Sequence, residues 1–285
     1  MILSFHPCYE ADVQIVLGDR DLDSKGLKLI EKARAIILPQ ACKERFFDVC
    51  SRSCTLIFPN YEMRFKYPGK IGQCRMFEDF GYAHPETRCW NSVKEFKSRY
   101  PAPEEFPHKL PFLIKDDKSH EAEGVYLISD GLLLANALEQ LEYRERSGPK
   151  GFVTQAGIES GGNVLRAVVF GKKIITYWKR PKTPDMFITT VSRGAIIDHD
   201  WQPALQEKGK IQAQLLEEKT GINLAAIDFV FDLSAKDPEP LFLEINYYFG
   251  RRGLGGTERY YALLYHALQK WLKESGLSPK SVRLI

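Results

Sequence analysis

Leu241-Phe-Leu-Glu-Ile-Asn246 closes an apparent hairpin that opens at Ala225-Ala-Ile-Asp-Phe-Val-Phe231. On a strand, residues two apart share a face, so Glu244 and Asn246 point the same way out of an otherwise apolar ribbon. Asp228 can meet them from the partner strand. Two carboxylates and an amide carbonyl make an all-oxygen cluster. Such a cluster suits a hard cation such as Mg²⁺, which keeps some water and completes its shell from phosphate. Taken alone, a Glu-x-Asn strand is more simply an edge ribbon with its polar residues in solvent. The surrounding chain decides between the two.

At 285 residues the chain exceeds one average domain and can bury a substantial core. Its 44% hydrophobic and 27% charged residues are ordinary for a globular protein. A net charge of +3 implies no broad field for nucleic acid or membrane. No run approaches the length of a membrane-spanning helix, and Met1-Ile-Leu-Ser-Phe-His-Pro7 lacks the charged start and long apolar core of a signal peptide. A cytoplasmic location is the expectation. The 6 cysteines (Cys8, Cys42, Cys50, Cys54, Cys74, Cys89) all lie in the first third and lack paired Cys-x-x-Cys knuckles. They are expected to be reduced and mostly buried; a redox or metal role is the lesser alternative.

Working outward, the first third alternates short apolar runs (1–5, 13–17, 35–38, 55–58) with helical stretches near 25–32 and 40–50. That alternation predicts a small α/β layer with a parallel sheet. A helix is predicted from Lys70 to about Phe80, stopped by Gly81. Tyr100-Pro-Ala-Pro-Glu-Glu-Phe-Pro107 carries three prolines and reads as a linker. Beyond it come a strand at 111–115, a polar loop at 116–123, a returning strand at 124–128 and a helix over 131–146. Strands follow at 151–155, 164–170 and 173–178, with Gly171-Lys172 as a tight turn between the last two. Helices over 202–220 and 258–274 flank the hairpin. The expected divisions are 1–98, 99–155 and 156–285.

Several charged residues stand in a suggestive order. Lys115 ends an apolar strand. Lys70 opens a helix, where a cation is unfavourable against the helix dipole unless an anion compensates. Gln155 ends another strand with Glu159 just after, Arg166 and Arg180 bracket a hairpin, and Arg193-Gly194 precedes the oxygen cluster.

That order resembles the ATP-grasp superfamily, in the branch with glutathione synthetase and the ligase that adds glutamates to a ribosomal protein. Lys70 followed by Gly81, Pro85 and Thr87 is similar to the family's helix with a nucleotide-binding lysine and its Gly-x-x-x-Pro-x-Thr corner. Pro111-Phe-Leu-Ile-Lys115 resembles its second lysine strand, with Gly124 at the far side of the phosphate-covering loop. Phe152-Val-Thr-Gln155 resembles the strand into the adenine hinge, which would add Ile158 and Glu159. The similarity covers about Lys70 to Leu254.

The resemblance implies an α/β (α+β) ATP-grasp fold: an N-terminal α/β layer followed by two α+β subdomains that sandwich the nucleotide. It implies an ATP- and Mg²⁺- (or Mn²⁺-) dependent carboxylate–amine ligase working through an acyl phosphate. Lys70, Lys115, Gly124, Gln155, Ile158 and Glu159 would bind ATP. Asp228, Glu244 and Asn246 would hold the metal, and Arg166 and Arg180 would be catalytic, holding the substrate carboxylate and the developing oxyanion. The expected partners are a small-molecule or peptide carboxylate and an amine, with no nucleic acid and no membrane; a homodimer is compatible with this reading. Departures stand beside it. The covering loop keeps one glycine and adds Glu121 and Glu123, and the hinge has Gln155-Ala156 in place of Gln-Glu. Thr190 and Arg193-Gly194-Ala195 stand where relatives often carry Asn and a Gly-Gly pair. A nucleotide-binding scaffold without turnover and an ATP-grasp kinase are the rivals.

Overall fold

Short, continuously apolar strands are the mark of a parallel sheet covered on both faces, and the N-terminal layer has them. In the computed structural model, which describes residues 1–18, 20–102, 105–119, 124–146, 148, 150–183 and 194–285, β1 (Ile2–Ser4) is central to that layer. β2 (Tyr9–Glu10) precedes β3 (Val13–Gln14); β4 (Ala35–Ile37) and β5 (Ile57–Phe58) complete the sheet in the all-parallel order β3-β1-β4-β5. Helices α1 (Ser24–Lys32) and α2 (Glu44–Ser53) connect the strands. The Asp23 side chain caps α1 by accepting from Gly26 N at 2.7 Å.

A short α3 (Glu62–Lys66) leads to α4 (Gly69–Phe80), which ends on left-handed Gly81, φ 68°. The central unit comprises β6 (Thr87–Trp90), α5 (Val93–Arg99), β7 (Phe112–Asp116), β8 (Val125–Ile128), α6 (Gly131–Glu145) and β9 (Phe152–Ala156). Its sheet is antiparallel in the order β6-β9-β7-β8. The expected boundary after residue 98 therefore needs correcting: β6 and α5 precede the proline-rich segment, yet β6 pairs with β9. Val93, Phe96, Phe112, Leu138 and Phe152 form this unit's own core.

The C-terminal sheet runs β12-β11-β10-β13-β14, all antiparallel. Its strands are β10 (Val164–Phe170), β11 (Lys173–Arg180), β12 (Ile196–Asp198), β13 (Leu224–Val230) and β14 (Leu241–Asn246). α7 (Pro203–Thr220) covers one face, where Leu165, Ala167, Trp178, Ile227 and Phe229 pack. α8 (Thr257–Glu274) covers part of the other, where Val168, Phe170, Tyr177 and Ala226 pack. β15 (Arg283–Leu284) pairs with β2 and ties the chain end to the N-terminal layer. Among the described residues no helix is long and apolar enough to cross a membrane.

Candidate active site

The site begins where α4 starts. Ile71 N donates to Asp117 Oδ1 at 2.8 Å and Lys70 N to the Asp117 carbonyl at 3.3 Å. Asp117, buried just past the end of β7, is thus the anion that a lysine at a helix start requires. Gly69 has φ +70°, and a Cβ there would collide with the Asp117 carboxylate, so glycine is needed for this close approach. The arrangement fixes Lys70 toward the loop after β7: its Nζ donates to the Ser119 carbonyl at 2.7 Å. Burial lowers its pKa against the pull of Glu244, Asp116 and Asp117.

Lys115 sits on β7 directly opposite Val153 of β9. Its Nζ donates to Gln155 Oε1 at 2.6 Å, and Gln155 Nε2 donates to Thr87 Oγ1 at 3.0 Å. Three adjacent strands thereby hold one ammonium in place. Burial brings the Lys115 pKa down to about 8, with Glu244 opposing the shift.

The second wall is the β13–β14 hairpin. Asp228 and Glu244 are direct cross-strand partners, and Asn246 lies opposite Ala226. A β-bulge follows: Phe229 pairs with Phe242, so Leu243 is the extra residue. Phe242 consequently turns into the α7-side core, whereas Leu243 and Glu244 both face the cleft. Gln73 of α4 fixes the edge of β14, with its Nε2 donating to the Ile245 carbonyl and its Oε1 accepting from Ile245 N, both at 2.8 Å. The helix carrying Lys70 and the strand carrying Glu244 are thereby held in register.

Asp228 is the most heavily bonded carboxylate of the site. Its Oδ1 accepts from Arg166 Nε at 2.7 Å; its Oδ2 accepts from Arg166 Nη2 at 2.8 Å, Lys179 Nζ at 2.8 Å and Asn246 Nδ2 at 3.3 Å. Burial alone would raise its pKa, but Arg166 and Lys179 outweigh burial and hold it at about 2. Burial disfavours the Arg166 charge, yet Asp228 outweighs that and raises its pKa; Lys179 is lowered by burial and by Arg166.

Lys70, Lys115, Gln155 and Glu244 line one cavity together with Gln73, Thr87 and Leu243. Asp228, Asn246 and Arg166 lie behind Glu244 on the same sheet face. Gly124 (φ +65°) closes the loop after β7, its carbonyl accepting from Asp116 N at 2.9 Å. Ile158 and Glu159 follow β9 outside the cavity lining, and the Glu159 carbonyl accepts from Leu233 N at 2.9 Å. Arg180 does not join the site. It lies on the opposite, α7 side of the sheet, its Nη1 donating to Asp198 at 2.8 Å and its guanidinium stacked 4.5 Å from the Trp201 ring. The neighbouring Lys179, which sequence reasoning passed over, takes the inward position. Glu121, Glu123, Thr190 and Arg193 lie outside the described residues.

The oxygen set fits a hard divalent cation. Glu244 carries no hydrogen bond on its carboxylate among the described residues, and Asn246 donates through Nδ2, which leaves its carbonyl oxygen free. Asp228 Oδ1 accepts a single bond, so one lone pair remains there. Lys70, Lys115, Arg166 and Lys179 still outnumber Asp117, Asp228 and Glu244. This balance suits a cation that arrives with polyphosphate better than a bare ion.

No family model matches the chain, and no curated protein matches it in sequence. In structure it is similar to an N5-carboxyaminoimidazole ribonucleotide synthetase solved with ADP: 12% identity, TM-score 0.61, over 85% of this chain and 60% of that one. The chain thus spans less than two thirds of that protein's length. A RimK domain ATP-grasp protein from Sphaerobacter thermophilus matches at 15% identity and TM-score 0.56, over 81% of this chain and 80% of its own. D-alanine–D-alanine ligase from Bacillus anthracis matches at 14% identity and TM-score 0.57, over 93% and 86%. The chain has the ATP-grasp fold.

Proposed function

We propose that this chain is an ATP- and Mg²⁺-dependent ligase that joins a carboxylate to an amine, on a small molecule or peptide, in the cytoplasm. The observation that carries the reading is the opposition of two lysines, Lys70 and Lys115, to the Glu244 carboxylate across one cavity walled by both sheets. Cations on one wall suit the phosphates of a nucleotide, and oxygens on the other suit its metal. Mn²⁺ would serve the same oxygen donors.

In this reaction a substrate carboxylate oxygen takes the γ-phosphoryl group of ATP, releasing ADP and forming an acyl phosphate. An amine nitrogen then attacks the acyl carbon, loses a proton and expels inorganic phosphate. Phosphoryl transfer asks the protein for positioning and charge neutralisation above all. Lys70 and Lys115 hold the nucleotide phosphates. Gln155 and Thr87 keep the Lys115 ammonium aimed into the cavity, and Ile158 and Glu159 offer hinge contacts to the base and ribose. Glu244, Asn246 and the remaining lone pair of Asp228 would hold the metal, whose chemistry is to neutralise phosphate oxygens during transfer. Arg166 works through Asp228, keeping that carboxylate ionised and oriented, and Arg180 is left out of the reaction.

One observation favours a second reading, an ATP-binding protein without turnover: Asp228 already accepts four hydrogen bonds from Arg166, Lys179 and Asn246. Incubation with Mg·ATP and a panel of amino acids and dicarboxylates, with ADP and phosphate measured, separates the possibilities. The ligase reading expects ADP release that requires both a carboxylate and an amine. Binding of Mg·ATP with no release under any pairing supports the second reading. A chain that does not bind Mg·ATP overturns both.

A further inference from the structure

α4 places Cys74 and Glu78 one turn apart on a single face, and beyond Gly81 the chain turns back to set His84 beside them. One ligand atom from each of the three residues lies within 4.8 Å of the others, with Cys74 Sγ 3.8 Å from Glu78 Oε1. His84 Nδ1 is 2.9 Å from the Tyr82 carbonyl. A carbonyl only accepts, so Nδ1 carries the proton and the Nε2 lone pair is left available. Metal-binding histidines are oriented in this way, with the second ring nitrogen donating to a backbone carbonyl. Cys74 is 4% exposed. Among the described residues this is the one such grouping of three cysteine, histidine or acidic side chains.

We propose that Cys74, Glu78 and His84 form a binding site for a divalent cation of the zinc class, distinct from the all-oxygen set at Asp228, Glu244 and Asn246. Sulfur and imidazole donors select a borderline-soft ion, whereas Mg²⁺ takes oxygens, so ligand softness sorts two metals between neighbouring sites. Binding replaces the Cys74 S–H proton by the metal and releases that proton to solvent, with no change of oxidation state. Three protein donors leave one tetrahedral position for water. Cys74 and His84 also line the cavity that holds Lys115 and Glu244. The site nonetheless stands on its own donors and does not depend on the cavity's taking ATP.

The test is a titration of Co²⁺, then Zn²⁺, into the reduced, metal-free full chain. A thiolate-to-cobalt charge-transfer band should saturate at one equivalent, be displaced by Zn²⁺ and resist excess Mg²⁺. Cys74→Ser should abolish the band. His84→Gln should weaken cobalt binding by about 100-fold or more, at or beyond the loss typical of a supporting partner. Glu78 is exposed, so Glu78→Gln folds without difficulty and guards against a misfolded Cys74 variant; it too should weaken binding. Glu244→Gln should leave the band unchanged. The proposal is overturned if no band forms, if the band survives in Cys74→Ser, or if folded Glu78→Gln and His84→Gln bind cobalt as the parent chain does.

Discussion

The two walls of the cleft treat their cations differently. On the C-terminal sheet, Arg166 and Lys179 are spent on Asp228, at 2.7 to 2.8 Å. On the opposite wall, Lys70 and Lys115 bond to the neutral groups of Ser119 and Gln155, and neither has an ion-pair partner within 4.0 Å among the described residues. Burial without a counter-ion costs free energy that a structural residue has no reason to incur. The paired wall therefore holds itself together, and the proposed function sets the nucleotide phosphates against the unpaired one. Paired and unpaired cations look alike in a sequence; only their partners in the fold tell them apart.

The sharpest way to break this contrast is to remove one group from each wall. Asp228→Ala leaves Arg166 and Lys179 buried without their ion-pair partner, and removing one partner of a buried pair costs about 3–5 kcal/mol. Lys115→Met removes a charge that burial already disfavours, so stability should hold within about 1 kcal/mol or rise, while Mg·ATP affinity falls. Urea denaturation of both variants, with calorimetric titration of Mg·ATP into Lys115→Met, checks the pair. Equal destabilisation by the two variants would erase the distinction between the walls.

Glu244→Gln tests the boundary between them. Glu244 lies directly across from Asp228 and carries no hydrogen bond on its carboxylate among the described residues. Its loss relieves repulsion from Asp228 but also removes attraction to Lys70, Lys115, Arg166 and Lys179, so the variant should fold with a modest loss of stability. Turnover should drop by about 100-fold or more, or several kcal/mol in the transition state, because the metal would lose its least encumbered carboxylate. Matching Mg·ATP affinity and turnover in the variant and the parent chain would remove Glu244 from the site.

Acidity provides a gentler probe. Lys115 titrates at about 8 in the folded chain against an ordinary 10.5. Between those values the unfolded chain holds a proton that the folded chain has released, so stability should rise with pH across the window, by at most about 3 kcal/mol. Lys70 and Lys179 are shifted in the same direction. Lys115→Met should flatten the rise without abolishing it. Because phosphate binding wants the charged ammonium, Mg·ATP affinity should weaken above pH 8, by up to about tenfold per unit. An affinity that is flat from pH 7 to 10 would show that the Lys115 charge is not used.

Most positions on the two walls were legible in the sequence, but not which cations are paired. Asp228, Glu244 and Asn246 follow from strand alternation alone, and Lys115 from its place at a strand end. Arg180 was misread for want of one further step. A two-residue turn at Gly171-Lys172 pairs Phe170 with Lys173, so odd-numbered residues of β11 share a face with even-numbered residues of β10. That register sends Lys179, not Arg180, to the side of Arg166. The bulge at Leu243 left no glycine or proline to betray it. β6 was overlooked as a strand of the central sheet because sheet order is not chain order, and the prolines after it drew the boundary too late. Gln73, which locks α4 to β14, reads in sequence as one more polar helix residue.

The smallest expected effect belongs to Arg180. Its guanidinium bonds Asp198, the side chains are 38% and 25% exposed, and it stacks on Trp201. A partly exposed ion pair and an exposed cation–π contact each contribute about 1 kcal/mol or less. Its backbone neighbours Ile196 and Asp198 belong to edge strand β12, which remains hydrogen-bonded to β11 without the side chain. Arg180→Ala should therefore lower the melting temperature by a few degrees at most, about 2–4 °C per kcal/mol for a chain of this size. Mg·ATP affinity and ADP release should stay within about twofold of the parent chain, since no group on the cleft side of the sheet has lost a partner. Arg166→Ala, three residues' breadth away on the other face, strips Asp228 of two hydrogen bonds and should move both readouts. A large loss of ADP release in folded Arg180→Ala, with Mg·ATP affinity unchanged, would return Arg180 to the reaction and show that the two faces of this sheet are not divided as described.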